Sequence, residues 1–223
     1  MNYLVNGEIV SRKNIQHDVI ELLVKPNKIR PFNPGSFVQL CLESVTASEI
    51  WPESRTFSIA NYSSEFFRFF IKKQGNYTKR IFEEAHVGNI VSIKYPFGDM
   101  FEKRISKELV FIAGGLGIAP FISIVEYLVK NLCTPNFHLF YSVKYESDFI
   151  YIDYLKNNVE NLTLFTTRGK SDYICRRINI NDVLIDSNFK DRHYFLCGSQ
   201  DFIRTFKSQL FKKGCLNIHL DEW

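Results

Sequence analysis

The hydrophobic rhythm of this chain changes once, near residue 105, and that change narrows the architectures open to it. Before it, short runs of Val, Ile, Phe and Leu recur between turn residues, at 7–12, 19–24, 36–42, 56–60, 66–72 and 90–94. Pro26, Pro31, Pro34-Gly35, Pro52, Gly75 and Pro96 punctuate them. Six short strands at this spacing predict a small antiparallel barrel. The stretch 77–85 departs from the pattern: it has helical character, with Thr78 as the candidate N-cap. After the change, apolar runs at 109–113, 137–143, 162–166, 194–197 and 216–220 alternate with helical patterns at 118–130, 148–157 and 201–212. Strands alternating with helices predict a parallel sheet covered on both faces. The expected fold class is therefore a two-domain β + α/β protein. Residues 1–104 are expected to form a six-stranded antiparallel barrel and residues 105–223 a parallel-sheet α/β domain, joined at the charged stretch 102–107.

Composition narrows the function classes. With 45% hydrophobic and 23% charged residues in 223, the chain can bury a core, which excludes a disordered chain. It contains no uninterrupted apolar run of membrane-spanning length, and its first residues do not read as a secretory leader. Lys and Arg number 28 against 24 Asp and Glu, and a balance of +4 is too small to argue for nucleic acid. The cysteines at 41, 133, 175, 197 and 215 are odd in number and widely spaced. They predict neither a disulfide framework, nor a zinc site, nor a built-in iron–sulfur cluster. The expectation is a reduced, cytoplasmic protein.

The sharpest motif is Gly114-Gly115-Leu116-Gly117-Ile118-Ala119-Pro120, between a buried strand and a helix. Glycines let the backbone turn tightly and let a ligand come close. The helix start offers N–H groups and a positive dipole end to a pyrophosphate. Pro120 suits the first turn, where its missing N–H costs nothing. The motif ends in Pro where the common dinucleotide fingerprint has Gly or Ala, and a glycine-rich turn without a ligand also fits it. A second motif, Arg55-Thr56-Phe57-Ser58-Ile59-Ala60, lies on a barrel strand. Alternation puts Arg55, Phe57 and Ile59 on one face and Thr56 and Ser58 on the other. Arginine suits phosphate and an aromatic ring suits a flat heterocycle, although a surface arginine beside an ordinary core strand has the same pattern.

The order of motifs is more specific than any one of them. Arg-x-Phe-Ser precedes Gly75-Asn76-Tyr77-Thr78, then come Tyr95-Pro96-Phe97-Gly98, the glycine turn, Phe195-Leu196-Cys197-Gly198 and a final His219-Leu220-Asp221-Glu222-Trp223. Across essentially the whole chain this resembles the ferredoxin–NADP reductase superfamily of flavoenzymes. The resemblance implies a barrel that binds FAD, with FMN second, and an α/β half that binds NAD(P)H. Arg55 would bind flavin phosphate, Phe57 would pack on the isoalloxazine in place of the commoner Tyr, and Ser58 would lie near flavin N5, with Thr56 between them. Gly75, Asn76, Tyr77 and Thr78 would cradle the flavin pyrophosphate. Gly114, Gly115, Gly117, Ile118 and Pro120 would hold the dinucleotide, and Cys197 with Gly198 would border the nicotinamide. Thr167, Arg168 and Tyr173 resemble residues that bind the 2′-phosphate of NADPH. Trp223 would cover the flavin face, and Asp221 would be the acid near the reacting centre, in place of the family's Glu. Ser58, Cys197, Asp221 and Trp223 are thus the expected catalytic set, with no metal.

The implied activity is a flavin-dependent NAD(P)H oxidoreductase that takes a hydride onto bound FAD and passes electrons to a ferredoxin, a flavodoxin or a small-molecule acceptor. Two alternatives stay open: a reductase of free flavin, and an electron-transfer subunit of a multicomponent oxygenase. Lys72, Lys73, Lys79 and Arg80 cluster in sequence near the flavin segment and offer a basic patch for an acidic redox partner, or simply a solvated face.

Overall fold

The computed structural model describes residues 2–46, 48–101, 108–131 and 137–221. The chain divides into two compact units, Met1–Phe101 and Glu102–Trp223. The expected junction at 102–107 lies outside the described residues.

The first unit is a six-stranded antiparallel barrel, as predicted. Its strands are β1 (Tyr3–Gln16), β2 (Val19–Pro26), β3 (Phe37–Cys41), β4 (Arg55–Ser58), β5 (Phe67–Lys72) and β6 (Ile90–Phe97). They run β4-β3-β6-β1-β2-β5 across the sheet. The two end strands approach one another through the amide of Ala60, which donates to Arg68 O at 2.9 Å, so the sheet nearly closes. Alternation drives the inward residues together: Ile9, Leu22, Val38, Leu40, Phe67, Phe69, Ile93 and Tyr95 belong to one core. The one helix among the described residues of the unit, α1 (Asn76–Glu84), turns Tyr77 and Ile81 into that core. These positions are four apart and therefore share one helical face. On the barrel wall, Arg68 and Glu21 form an ion pair at 3.1 Å that is almost wholly buried.

The second unit is a six-stranded, all-parallel sheet: β7 (Leu109–Gly114), β8 (Phe137–Val143), β9 (Asn161–Thr166), β10 (Ile174–Cys175), β11 (His193–Cys197) and β12 (Ile218–Asp221). Their order is β10-β9-β8-β7-β11-β12. Leu109–Ala113 is buried throughout, as a strand covered on both faces must be. Phe111 packs on Phe121 of α2 (Ala119–Lys130), with ring centroids 5.1 Å apart. Val110 and Ile112 belong to a second cluster with Ile203, Phe206 and Leu210 of α5 (Gln200–Lys212). Two short helices, α3 (Ile152–Asn158) and α4 (Ile180–Val183), complete the unit. The two-residue β10 and the one-turn α4 carry too few residues to show a period, so the sequence pattern did not reveal them. No described helix is long and apolar enough to cross a membrane.

The chain places β8 and β9 to one side of β7, then returns to place β11 and β12 on the other. The order therefore reverses between β7 and β11, and the strand ends there open the crevice in which α/β sheets bind ligands.

Removing one partner of a buried ion pair strands the other charge. Glu21→Ala is expected to lower the urea unfolding free energy of the barrel unit by about 3 kcal/mol.

Candidate functional site

At the reversal between β7 and β11, three glycines make the packing possible. Gly114 ends β7, a 3-10 turn spans Gly115–Ile118, and α2 begins at Ala119 with Pro120 in its first turn. The helix thus starts one residue later than predicted, because the 3-10 turn takes up Ile118. Gly115 has φ +57°, and a Cβ there would meet nothing within 4 Å. Gly117 is different: a Cβ would lie 2.2 Å from the carbonyl oxygen of Cys197 and 2.6 Å from the amide nitrogen of Gly198. On Gly198 it would lie 2.9 Å from the Phe202 ring. The backbone of the turn therefore rests directly on the end of β11, and the structure brings Gly114, Gly117, Cys197 and Gly198 together. The entry to α2 carries no side-chain cap, and the open face of Gly115 leaves its backbone accessible. These residues fit a dinucleotide pyrophosphate.

Cys197 pairs with Asp221 across β11 and β12, and its thiol points at Asp221 Oδ2, 3.7 Å away. Both are buried. Burial, reinforced by the negative charge of Asp221, holds the Cys197 thiol well above the usual cysteine range. The sulfur is a neutral thiol at pH 7, which suits a residue that borders a ligand without attacking it. Glu222 and Trp223 lie outside the described residues.

At the far end of the same sheet edge, Thr167 N donates to Val143 O at 3.0 Å and Arg168 N to Lys144 O at 2.8 Å. These bonds continue the β8–β9 pairing past the strand ends and leave both side chains exposed. Tyr173 precedes β10 and accepts a hydrogen bond from Lys156 Nζ of α3 at 2.7 Å. Lys156 went unnoticed in the sequence, where it is a charged residue on a short surface helix. Arg176 is not a free cation: Asp182 takes both arms of its fork, at 2.7 and 2.6 Å.

In the barrel unit, Arg55 is exposed at the start of β4, while Phe57 and Ser58 are buried. Arg55 sits opposite Leu40 and Phe57 opposite Val38, so the two share a face as alternation predicts, but only the arginine reaches solvent. Phe57 sits opposite Val38 and packs near Phe69, with centroids 6.5 Å apart, so its ring is a core group rather than a free platform. Thr56 is half-buried opposite Gln39. The cap of α1 also differs from expectation. Gly75, not Thr78, is the N-cap, and it carries no side-chain cap bond. Thr78 lies in the first turn, and its hydroxyl reaches back to accept from Gly75 N at 2.9 Å and Gln74 N at 3.0 Å. Tyr77 is core, its hydroxyl donating to Leu40 O at 2.8 Å. Gly75 and Asn76 remain exposed, with open space at Gly75. Arg55 Cζ stands 5.1 Å from the centre of the Tyr77 ring. An arginine over the first turn of a helix whose N-cap is glycine fits a phosphate-bearing ligand.

Acids run through the expected basic patch. Lys72 pairs with Asp18 at 3.2 Å, and Arg80 is held by Glu43 and Glu84, each at 3.0 Å. Glu43 also accepts the Cys41 thiol at 2.8 Å. Burial, then the Glu43 hydrogen bond, push that thiol up to about 12. Lys73 and Lys79 remain exposed, which is less than the cluster the sequence suggested.

Barrel and parallel sheet together define the two-unit fold of flavin- and nicotinamide-dependent reductases. Residues 111–208 match the oxidoreductase NAD-binding domain family. The chain is 25% identical over 204 residues to the anthranilate 1,2-dioxygenase electron transfer component of Acinetobacter baylyi, covering 85% of this chain and 57% of that protein. It is 25% identical over 244 aligned positions to the flavodoxin/ferredoxin–NADP reductase of Buchnera aphidicola, covering 99% of this chain and 95% of that one. The flavohem-like FAD/NAD-binding domain of nitric oxide dioxygenase from Vibrio cholerae superposes with a TM-score of 0.85 over 98% of each chain, at 16% identity. The chain spans about half the length of several of the curated relatives it matches.

Two outcomes test this geometry. Gly117→Ala forces a Cβ into the Cys197 carbonyl, so chemical denaturation should show a loss of roughly 2 kcal/mol or more. Under iodoacetamide at pH 8, exposed Cys175 should alkylate well before Cys197, read by peptide mass spectrometry, because only thiolates react.

Proposed function

We propose that this chain is an NAD(P)H-dependent flavin oxidoreductase, with FAD on the barrel unit and the nicotinamide dinucleotide on the parallel-sheet unit. Its electrons go on to a ferredoxin, a flavodoxin or the iron–sulfur component of an oxygenase. The observation that carries the reading is the glycine turn seated on Cys197 at the β7–β11 reversal, within the stretch that matches the NAD-binding domain. The names of the Acinetobacter and Buchnera relatives support the choice of acceptor. The flavin, when bound, supplies the conversion of a two-electron hydride donor into single-electron delivery.

The protein's own part is binding, orientation and control of protons. Arg55 holds a flavin phosphate, and the first-turn amides of α1 share that charge. Ser58, buried at the end of β4, is assigned to the flavin ring, where a hydroxyl steadies developing charge. On the other unit, Gly114, Gly115 and Gly117 admit the pyrophosphate. Thr167, Arg168 and Tyr173 face the adenosine end, and Lys156 fixes the Tyr173 hydroxyl. Cys197 stays protonated against Asp221 and packs beside the nicotinamide without acting as a nucleophile. Trp223 is assigned as the flavin cover. A cytoplasmic location belongs to the same proposal.

A second reading, reduction of free flavin, is favoured by one observation. The Thr78 hydroxyl is spent on the helix cap and Phe57 on the core, which leaves fewer groups to retain a flavin.

The visible spectrum of the desalted protein, followed by anaerobic bleaching with NADH and NADPH in turn, tests the proposal. A yellow protein bleached by one or both supports bound flavin. A colourless one that oxidises NAD(P)H only with added flavin supports the second reading, and no flavin-dependent oxidation overturns both. Arg55→Ala should weaken flavin binding roughly tenfold or more, since a charged hydrogen-bond donor to phosphate is lost.

A further inference from the structure

Arg55 does not stand alone over Tyr77. The guanidinium of Arg80, from the second turn of α1, lies 5.9 Å from the centre of the same ring. Tyr77 is a fixed platform, buried and tied to Leu40 O. Arg80 is also fixed, but on one side only. Its Nε and Nη2 are taken by Glu84 at 3.0 and 3.1 Å, and Nη2 again by Glu43 at 3.0 Å. The remaining arm, Nη1, faces Glu53 Oε2 at 3.6 Å, beyond hydrogen-bond reach. The other oxygen of Glu53, Oε1, accepts from Arg55 Nη2 at 2.9 Å, while Arg55 Nη1 donates to Ser54 O at 2.7 Å.

A single carboxylate thus spans two guanidiniums at the start of a helix whose N-cap, Gly75, leaves the approach open. We infer that Glu53 holds the place of a ligand phosphate, and that Arg80 is a second phosphate-binding residue beside Arg55. The inference rests on the flavin reading above and adds to it a residue that binds and a residue that competes. Glu53 is half-exposed and sits in the loop before β4, so its ion pair is weak. A phosphate offers more charge and more acceptor oxygens to the same two forks. It cannot share the space with Glu53, because Glu43 and Glu84 already crowd Arg80 with negative charge. Binding therefore displaces Glu53, and the cofactor's affinity is lowered by that displacement. A flavin held this way exchanges with solution more readily than one that meets two unopposed arginines.

The test is fluorescence titration of the full chain with FAD, FMN and riboflavin, which lacks the phosphate. Glu53→Gln should tighten FAD and FMN about threefold or more and leave riboflavin unchanged. Arg80→Gln should weaken FAD and FMN about tenfold with riboflavin again unchanged, and Arg80→Lys should restore part of the loss. In an Arg80→Gln background the Glu53→Gln gain should shrink. If the wild type binds riboflavin and FAD but Glu53→Gln leaves FAD unchanged or weaker, the competitor role is overturned while the flavin reading stands. Riboflavin affinity falling as much as FAD affinity in Arg80→Gln would show a structural role and also overturn it. If none of the three flavins binds, the flavin reading itself falls and takes the clamp with it.

Discussion

The carbonyl oxygen of Cys197 occupies the space where a side chain at position 117 would begin. This contact sets how closely the turn after β7 approaches the end of β11. Because the turn lies flat on the neighbouring strand, the entry to α2 stays at the sheet edge and the face of Gly115 stays open. The same approach puts the Phe202 ring against Gly114 and Gly198, so the start of α5 is packed into the arrangement as well. A bulkier turn would separate these elements, and the crevice at the strand reversal would lose the backbone that lines it.

Much of this was legible before any coordinates. The switch from short alternating strands to long buried runs with intervening helices gave both units, since period and burial are written directly in residue order. Glycines 114 and 117 marked the turn for the same local reason. Legibility failed where the outcome depended on partners distant in sequence. Phe57 and Arg55 share the face that alternation assigns them, but their burial does not follow from it: the arginine at the start of a four-residue strand reaches solvent while the ring joins Phe69. Thr78 reads as an N-cap, yet Gly75 takes that geometry and the hydroxyl works from inside the first turn. Arg80 reads as part of a basic patch, but Glu43, 37 residues away, turns it into a paired group.

The barrel unit handles charge in two ways. Around α1, opposite charges are interleaved and half-exposed, so each pair is weak and replaceable. On the wall behind, Arg68 and Glu21 are buried together and act as a permanent brace. A barrel built like this is rigid where its strands meet and adaptable where a ligand's phosphate would arrive.

The neutral state of Cys197 also bears on its reactivity toward oxidants. Hydrogen peroxide converts thiolates to sulfenic acid and attacks protonated sulfur far more slowly. With Asp221 beside it and burial around it, the sulfur at the strand reversal is shielded from that damage. A compact, polarizable atom is thereby kept in its reduced form where the glycine turn meets the end of β11.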